Sequence, residues 1–453
     1  MSIPARPDPQ VKTGSPGGPF GPIYNPERET ASRDEIAALQ LTLLREQVAW
    51  TYARVPWYRE RLNAIGFQPG DLRELADIHQ LPFTEKSALR DTYPYGLFAV
   101  PLDEVVRLHA SSGTTGKPIV VGYNQHDLEQ WRSCIMSIMQ MAGVVPGDRV
   151  QMAFGYGMFT GGFGLHYGAE GLGCMMIPAG SGNTERHLMM IADYGTTVLV
   201  ATPSYAMHIC EVGEKAGFDW QASTLRVGLF GGEPCPPKLK QEIESRMRII
   251  CTDNYGLTEV MGPGVSGECL AARDQQHIVE DHFYWEVIDP QTGAVLPEGA
   301  EGELVLTPLN KQAFPVLRYR THDLTRVTTA PCACGRTTAR MAKVRSRSDD
   351  MLIIRGTNVF PSQFEDVLQT IPSASPHYRL VVDNDSGLDR LTLELELLPA
   401  GFTDSFAELE AFRARVAEKL HHTLQVSVAV KLLEPGSIER TPGKARHVED
   451  RRR

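Results

Sequence analysis

From about residue 56 to residue 310 the chain alternates short apolar runs with helical stretches, and this alternation limits the fold more than any other feature. The runs include VVRLHA, TTVLVATP, LRVGLFGGEP and GELVLT. They are continuously apolar at their centres, the pattern of strands covered on both faces. Such strands, separated by helices, predict a buried, largely parallel sheet. The fold class is therefore α/β, with mixed or parallel sheets in a large N-terminal domain. Ahead of it, Leu41, Leu44, Val48, Tyr52 and Val55 recur at three- and four-residue spacing. That spacing predicts a helix over about 34–55, ended by Pro56. No internal repeat is present in the sequence.

Beyond residue 347 the texture changes. MLIIRG, HYRLVVD, LTLELELL and VSVAVKLLE read as strands, and FPSQFEDVLQTI as a helix. Phe406, Leu409, Phe412, Val416 and Leu420 share one face of a second helix. Together they predict a small C-terminal α+β lid domain. The charged stretch RSRSDD before it suits a hinge. With 453 residues the chain exceeds one core, since single domains rarely pass ~250–300 residues. The expected division is an irregular Pro/Gly-rich arm over 1–33, a large domain over 34–347 and a lid over 348–453.

A formal net charge of -10 argues against a broad nucleic-acid footprint, which needs a basic surface. The closing run Arg451, Arg452 and Arg453 reads as a solvated tail. No apolar run approaches the ~20 residues that span a bilayer. The first 22 residues lack the apolar centre of a signal peptide, so a cytoplasmic location is expected. Cys134, Cys174 and Cys210 lie singly in apolar surroundings, as small buried hydrophobes do.

The run SSGTTGKP begins at Ser111. Ser111, Ser112, Thr114 and Thr115 offer hydroxyls, Gly113 and Gly116 let the backbone turn its N–H groups toward an anion, and Lys117 adds charge. It is not a Walker A loop: Gly113 and Gly116 are too close, and Pro118 follows the lysine. Taken alone it is a phosphate cradle or a surface turn.

The rest of the chain decides between them. SSGTTGKP resembles the phosphate loop of adenylate-forming enzymes, the superfamily of acyl-CoA synthetases and aryl-acid activating enzymes. DNYGLTEVMGPG, RYRTHDLTRV, RSRSDDMLIIRGTNVFPSQFED and IERTPGKARHV resemble the later motifs of that superfamily, in order. TYPYGLFAVP, FGYGMFTGGFGLHYGAE and NVFPSQFE are similar to the phenylacetate-CoA ligase branch. The resemblance implies ATP-dependent activation of an aromatic acid, of phenylacetate or substituted benzoate type, through an acyl-adenylate. Thioester formation with coenzyme A follows.

It also implies roles. Residues 111–117 would cradle the triphosphate, with Lys86 assisting. Glu259 would hold Mg²⁺, a hard cation that wants carboxylate oxygen. Thr258 would donate to the α-phosphate. Tyr255 and the turn of Gly231, Gly232, Glu233 and Pro234 would enclose adenine, and Asp253, Asn254 and Gly256 of the same motif would also bind the cofactor. Asp323 would accept the ribose hydroxyls. Arg347 would approach the ribose or phosphate, Asp349 would sit at the hinge, and Lys444 would swing in to stabilise charge during adenylation. Phe154, Tyr156 and Phe159 would offer flat surface to an aryl ring, with room left by Gly161 and Gly162. Two departures are notable: Phe154 stands where the branch has tyrosine, and Asn254 where it has an aliphatic residue. Asn254 either meets an amino or hydroxyl group on the acid or bonds the protein's own backbone.

PCACGRT places Cys332 and Cys334 one residue apart, and GECLAARDQQH supplies Cys269 and His277. Three Cys and one His suit a closed structural Zn²⁺ site, with His282 as the fallback for His277. Two other functions compete with the CoA ligase. One passes the acyl group to a carrier protein or an amine. The other is nucleotide binding without catalysis, against which Lys444, Glu259 and Asp323 argue. A homodimer suits an enzyme of this size, C₂ being the commonest arrangement.

Overall fold

A computed structural model describes residues 20–111, 118–344, 346–348, 352–354, 357–385, 388–398, 405–424, 426–438 and 447–452. The described parts of Met1–Cys235 and Glu242–Lys343 form one compact unit, and those of Pro236–Gln241 and Val344–Arg453 a second.

The first unit is built on a nine-stranded sheet. Met175–Ile177, Arg149–Met152, Val198–Ala201, Val227–Gly231 and Ile250–Leu257 run parallel in that spatial order. Gly262–Cys269, Ala272–Ile278, Arg340–Ala342 and Val327–Thr328 continue it antiparallel. Val198–Ala201 and Val227–Gly231 are buried along their whole length, which is why their sequences are apolar without alternation. GELVLT departs from the expected parallel sheet. It forms Gly302–Pro308 in a separate antiparallel meander with Phe283–Ile288 and Tyr319–Thr325. Both its faces are covered there too, so its composition matches that of a parallel strand.

The helix Arg33–Arg54 starts on a capping box: Ser32 accepts from the Glu35 N–H, and Glu35 accepts from the Ser32 N–H. Its buried stripe runs through Ile36, Gln40, Leu44, Gln47, Val48 and Thr51, whereas Leu41 and Tyr52 are only half-buried. The two glutamines tolerate burial because their amides donate to the carbonyls of Glu280 at 2.9 Å and Lys311 at 2.7 Å. Ahead of this helix, Pro26–Glu29 makes a short helical turn. Glu29 is fixed from two sides: Arg336 Nε donates to it at 2.5 Å and Ser137 Oγ at 3.0 Å. Arg336 is fully buried and also donates to the Pro22 carbonyl at 2.9 Å.

The helix Thr160–Gly171 packs on Gln125–Met141 at close range. A Cβ on Gly164 would lie 2.3 Å from the Trp131 ring, and one on Gly168 would lie 2.0 Å from Ile135. Only glycine permits that approach. Arg107–Ala110 and Val120–Tyr123 pair antiparallel, Ala110 opposite Val120, and flank the hydroxyl–glycine loop. Residues 112–117 of that loop lie outside the described residues.

The second unit carries a four-stranded sheet in the order Val428–Leu433, Leu388–Leu397, Ala374–Asp385, Val448–Asp450. The central pair is antiparallel and the two outer strands join it in parallel. Phe364, Val367 and Leu368 of one helix and Phe412, Val416 and Leu420 of another share its core with Leu391, Leu393 and Leu395. No helix among the described residues is long and apolar enough to cross a membrane.

Candidate active site

The strand Ile250–Leu257 brings four candidate residues into one line, and its neighbour Val227–Gly231 ends in the GGEP turn. Gly232 takes φ +84, a left-handed turn that favours glycine. Glu233 accepts the Ser204 N–H at 2.7 Å, at the start of the helix Pro203–Lys215. Tyr255 Oη donates to Asp323 Oδ2 at 2.6 Å, so two residues 68 positions apart meet as one polar group. Asp253 is buried beside Lys343, whose Nζ lies 3.6 Å from it and 2.8 Å from Glu268. Glu268 in turn accepts the Asp253 N–H at 2.7 Å. Burial opposes the Lys343 charge, but the two carboxylates outweigh it and hold the ammonium above the usual lysine range.

Thr258 and Glu259 follow directly and are both buried. The Thr258 hydroxyl lies 3.1 Å from that of Thr160, and Glu259 Oε1 lies 3.7 Å from Lys86 Nζ. Lys86 opens the helix Lys86–Asp91 and keeps a third of its side chain exposed. Ser111 donates its N–H to the Ile119 carbonyl at 3.0 Å, while its buried hydroxyl has no partner among the described residues.

The aryl-facing candidates gather around the loop before Thr160–Gly171. The Phe154 and Phe159 rings are 6.2 Å apart, and a Cβ on Gly232 would touch Phe154 at 3.7 Å. Gly161 gives the Phe159 ring its room, since a Cβ there would lie 2.3 Å from that ring. A Cβ on Gly162 would lie 2.6 Å from the Gly155 carbonyl oxygen. Tyr156 Oη lies 3.0 Å from His166 Nδ1, and His166 Nε2 lies 3.1 Å from Glu170. Asn254 donates its side-chain amide to the Phe230 carbonyl at 2.6 Å, the backbone partner that was the alternative to a substrate contact.

Gly256 sits at a register shift opposite Pro263. Pro234 follows Glu233 in the same turn. Arg347 lies on the second unit in Ser346–Arg347. Asp349, Lys444 and residues 112–117 fall outside the described residues. Three structural partners had no signal in the sequence: Lys343, Glu268 and Thr160 are ordinary residues until folding places them beside the motifs.

A second cluster stands apart in composition. The ligand atoms of Cys269, His277, Cys332 and Cys334 all lie within 4.8 Å of one another. Cys269 Sγ is 3.7 Å from Cys332 Sγ, and Cys334 Sγ is 3.4 Å from His277 Nε2. His277 Nδ1 faces the Thr338 hydroxyl at 2.9 Å, which turns Nε2 toward the sulfurs. A hydrogen bond from Cys269 and the neighbouring His277 hold the Cys334 thiol down to about 2. His282 instead pairs with Asp281 at 2.9 Å.

The chain matches the family "AMP-binding enzyme" over residues 73–308 and "AMP-binding enzyme C-terminal domain" over 356–452. It is 47% identical to a phenylacetate-coenzyme A ligase of Aromatoleum evansii, over 98% of this chain and 99% of that one. It is 46% identical to a phenylacetate-coenzyme A ligase of Escherichia coli, over 94% and 97%. A crystal structure of 2-hydroxyisobutyryl-CoA ligase in the postadenylation state superposes with a TM-score of 0.89 at 29% identity, covering 100% of this chain and 96% of that one. By these matches, and by the motif residues the fold has brought together, the chain belongs to the adenylate-forming AMP-binding enzymes, in the branch of the phenylacetate-CoA ligases.

Proposed function

We propose that this chain is an AMP-forming aryl-CoA ligase. An aromatic carboxylate oxygen attacks the α-phosphorus of ATP, the bond from that phosphorus to the β-bridging oxygen breaks, and pyrophosphate leaves. The CoA thiolate then attacks the acyl carbon of the adenylate, and AMP leaves with the bonding pair. The observation that carries this reading is a convergence. Thr258 touches Thr160 of the acyl segment, and Glu259 meets Lys86, on the residues that follow Tyr255. Acid, phosphate and nucleotide determinants therefore meet around one turn, as an in-line displacement requires.

Within that turn, Tyr255 holds the Asp323 carboxylate for the ribose diol, and the Thr258 hydroxyl serves the α-phosphate. Glu259 supplies the oxygen that Mg²⁺ takes, and the bound ion would screen phosphate charge. Lys86 sits within reach to release Glu259 and turn to phosphate. The orphan Ser111 hydroxyl fits a phosphate acceptor. Lys444 is the proposed lid lysine of the first half-reaction, Arg347 the group that approaches the ribose or phosphate, and Asp349 the hinge. Phe154, Tyr156 and Phe159 receive an aryl ring of phenylacetate or substituted benzoate type. With one amide N–H given to Phe230, Asn254 keeps its second N–H and its oxygen for the acid. Cys269, His277, Cys332 and Cys334 fit a structural Zn²⁺, their donor set being the softest in the unit. Four thiol and imidazole groups gathered for a metal favour a reducing, cytoplasmic setting.

The test is pyrophosphate release with a panel of aryl acids, with and without CoA, on wild type and Lys444→Ala. Turnover that needs acid and CoA and collapses in the variant is expected. Pyrophosphate release without thioester would reassign the acceptor to a carrier protein or amine.

A further inference from the structure

His109 lies in the strand Arg107–Ala110, just before the hydroxyl–glycine loop, and no role above uses it. Its side chain is buried, and its Nδ1 lies 3.1 Å from the Met158 carbonyl. The Ala110 N–H donates to the same carbonyl at 2.9 Å. A carbonyl only accepts, so Nδ1 carries the proton. The other nitrogen, Nε2, has no partner among the described residues. Two adjacent donors from the strand that leads into the phosphate loop thus grip one oxygen of the acyl segment.

Little else holds that oxygen. Met158 is 55% exposed, so its side chain is no anchor. Gly155 and Gly157 precede it in a stretch without regular secondary structure. The His109 ring is meanwhile boxed in by Tyr123, Trp131 and Phe163 at centroid distances of 5.6, 5.8 and 5.8 Å. Tyr123 Oη donates to the Met261 carbonyl at 2.7 Å, and Trp131 Nε1 to that of Pro263 at 2.8 Å. Those carbonyls come right after Glu259. One imidazole therefore stands where the strand leading into the phosphate loop, the acyl segment and the stretch after Glu259 are tied together.

We propose that His109 is a positioning residue for adenylation: through its Nδ1–H bond to Met158 it sets the acyl segment against the phosphate loop, so that carboxylate and α-phosphorus meet in line. Burial, with Arg107 and Lys311 as nearby cations, keeps the ring neutral, its pKa pushed down to about 4. The Nδ1–H donates in either charge state, so the bond does not depend on the ring staying neutral.

The proposal rests on the ligase reading. The experiment compares His109→Phe, which keeps the ring and loses the donor, with His109→Asn, whose amide restores it. Both are made in the full chain, with folding checked by circular dichroism. Acid-dependent ATP–pyrophosphate exchange is measured for each. Thioester formation is measured separately, from preformed acyl-adenylate and CoA. In H109F, kcat/KM for exchange is expected to fall about 10²-fold, the cost of a misplacement near 1 Å, with KM for the acid raised. Thioester formation should change no more than a few-fold, and H109N should recover most of the loss. Full exchange in H109F, equal loss in both half-reactions, or equal loss in both variants would overturn the assignment. If H109F does not fold, H109L against H109N makes the same comparison. A wild type that shows no exchange with any aryl acid overturns the ligase reading and this assignment with it, whereas an active wild type with any of the three results above overturns the assignment alone.

Discussion

The proposed nucleotide side and the proposed acid side of this site are held by different physics. On the nucleotide side, Tyr255 and Asp323, Lys343 with Asp253 and Glu268, and Glu233 with the Ser204 N–H are all polar contacts with an ionised partner. On the acid side, Phe154 and Phe159 rest on rings and on gaps left by glycine, and Tyr156 adds a polar contact, to His166. Charge-assisted bonds have strict geometry, whereas ring packing admits exchange at modest cost. A ligase built this way can change its acid while keeping its nucleotide.

The largest effect that would sharpen the contrast is Asp323→Ala. It removes the proposed ribose acceptor and strands the Tyr255 hydroxyl. Loss of two bonds at about 1.5–3 kcal/mol each predicts kcat/KM for ATP down about 10³-fold, with KM for the acid unchanged. An equal rise in both KM values would break the division. Next comes acid pH. With the folded His109 pKa near 4 and an unfolded value near 6.5, the unfolded chain binds a proton first as pH falls. Stability is then lost between about pH 6.5 and pH 4, by up to about 3 kcal/mol, and levels off below. Denaturant melts across that range should show a steeper pH slope for wild type than for H109N, in which Arg107 and Lys311 remain. An identical slope in both would show that His109 ionises freely.

The metal cluster should belong to neither side. Elemental analysis of the wild type is expected to give one zinc per chain, and Cys332→Ser to lose it. The substitution should lower stability by about 2.7 kcal/mol at a hundredfold excess of zinc over its Kd, with both KM values retained by the folded fraction. Absence of zinc in the wild type would remove the site. Gly161→Ala pushes a methyl into the Phe159 ring and should cost about 10-fold or more in kcat/KM for the parent acid, sparing ATP. Phe154→Tyr is the mildest: a change of about tenfold or less between hydroxylated and bare acids, read from a substrate panel.

Much of this was legible because it is local. Val198–Ala201 and Val227–Gly231 announced themselves by unbroken burial, and the alternation in Leu388–Leu397 did the same for the second unit. The motif residues could be read because each motif is contiguous. The misplacement of GELVLT has a physical reason: an apolar run reports that both faces are covered, not the direction of its neighbours. The helix Arg33–Arg54 hid Gln40 and Gln47 in its buried stripe, since their partners, Glu280 and Lys311, are over two hundred residues away. Shorter separations, 68 and 49 residues, are enough to conceal the Tyr255–Asp323 pair and the grip of His109 on Met158. Long-range pairing of ordinary residues leaves no trace in composition or period.

Residues 22–29 carry a practical warning. A stretch of Pro and Gly before the first long helix invites removal when a gene is shortened for expression, with residue 34 as the natural new start. Yet Glu29 is the counter-charge of a fully buried Arg336, two positions past Cys334. Taking one partner from a buried pair costs about 3–5 kcal/mol. The trimmed protein would therefore carry a bare guanidinium in its interior, right behind the cysteine turn, and would be expected in the insoluble fraction. A gene that keeps Pro22 onward should yield the soluble enzyme.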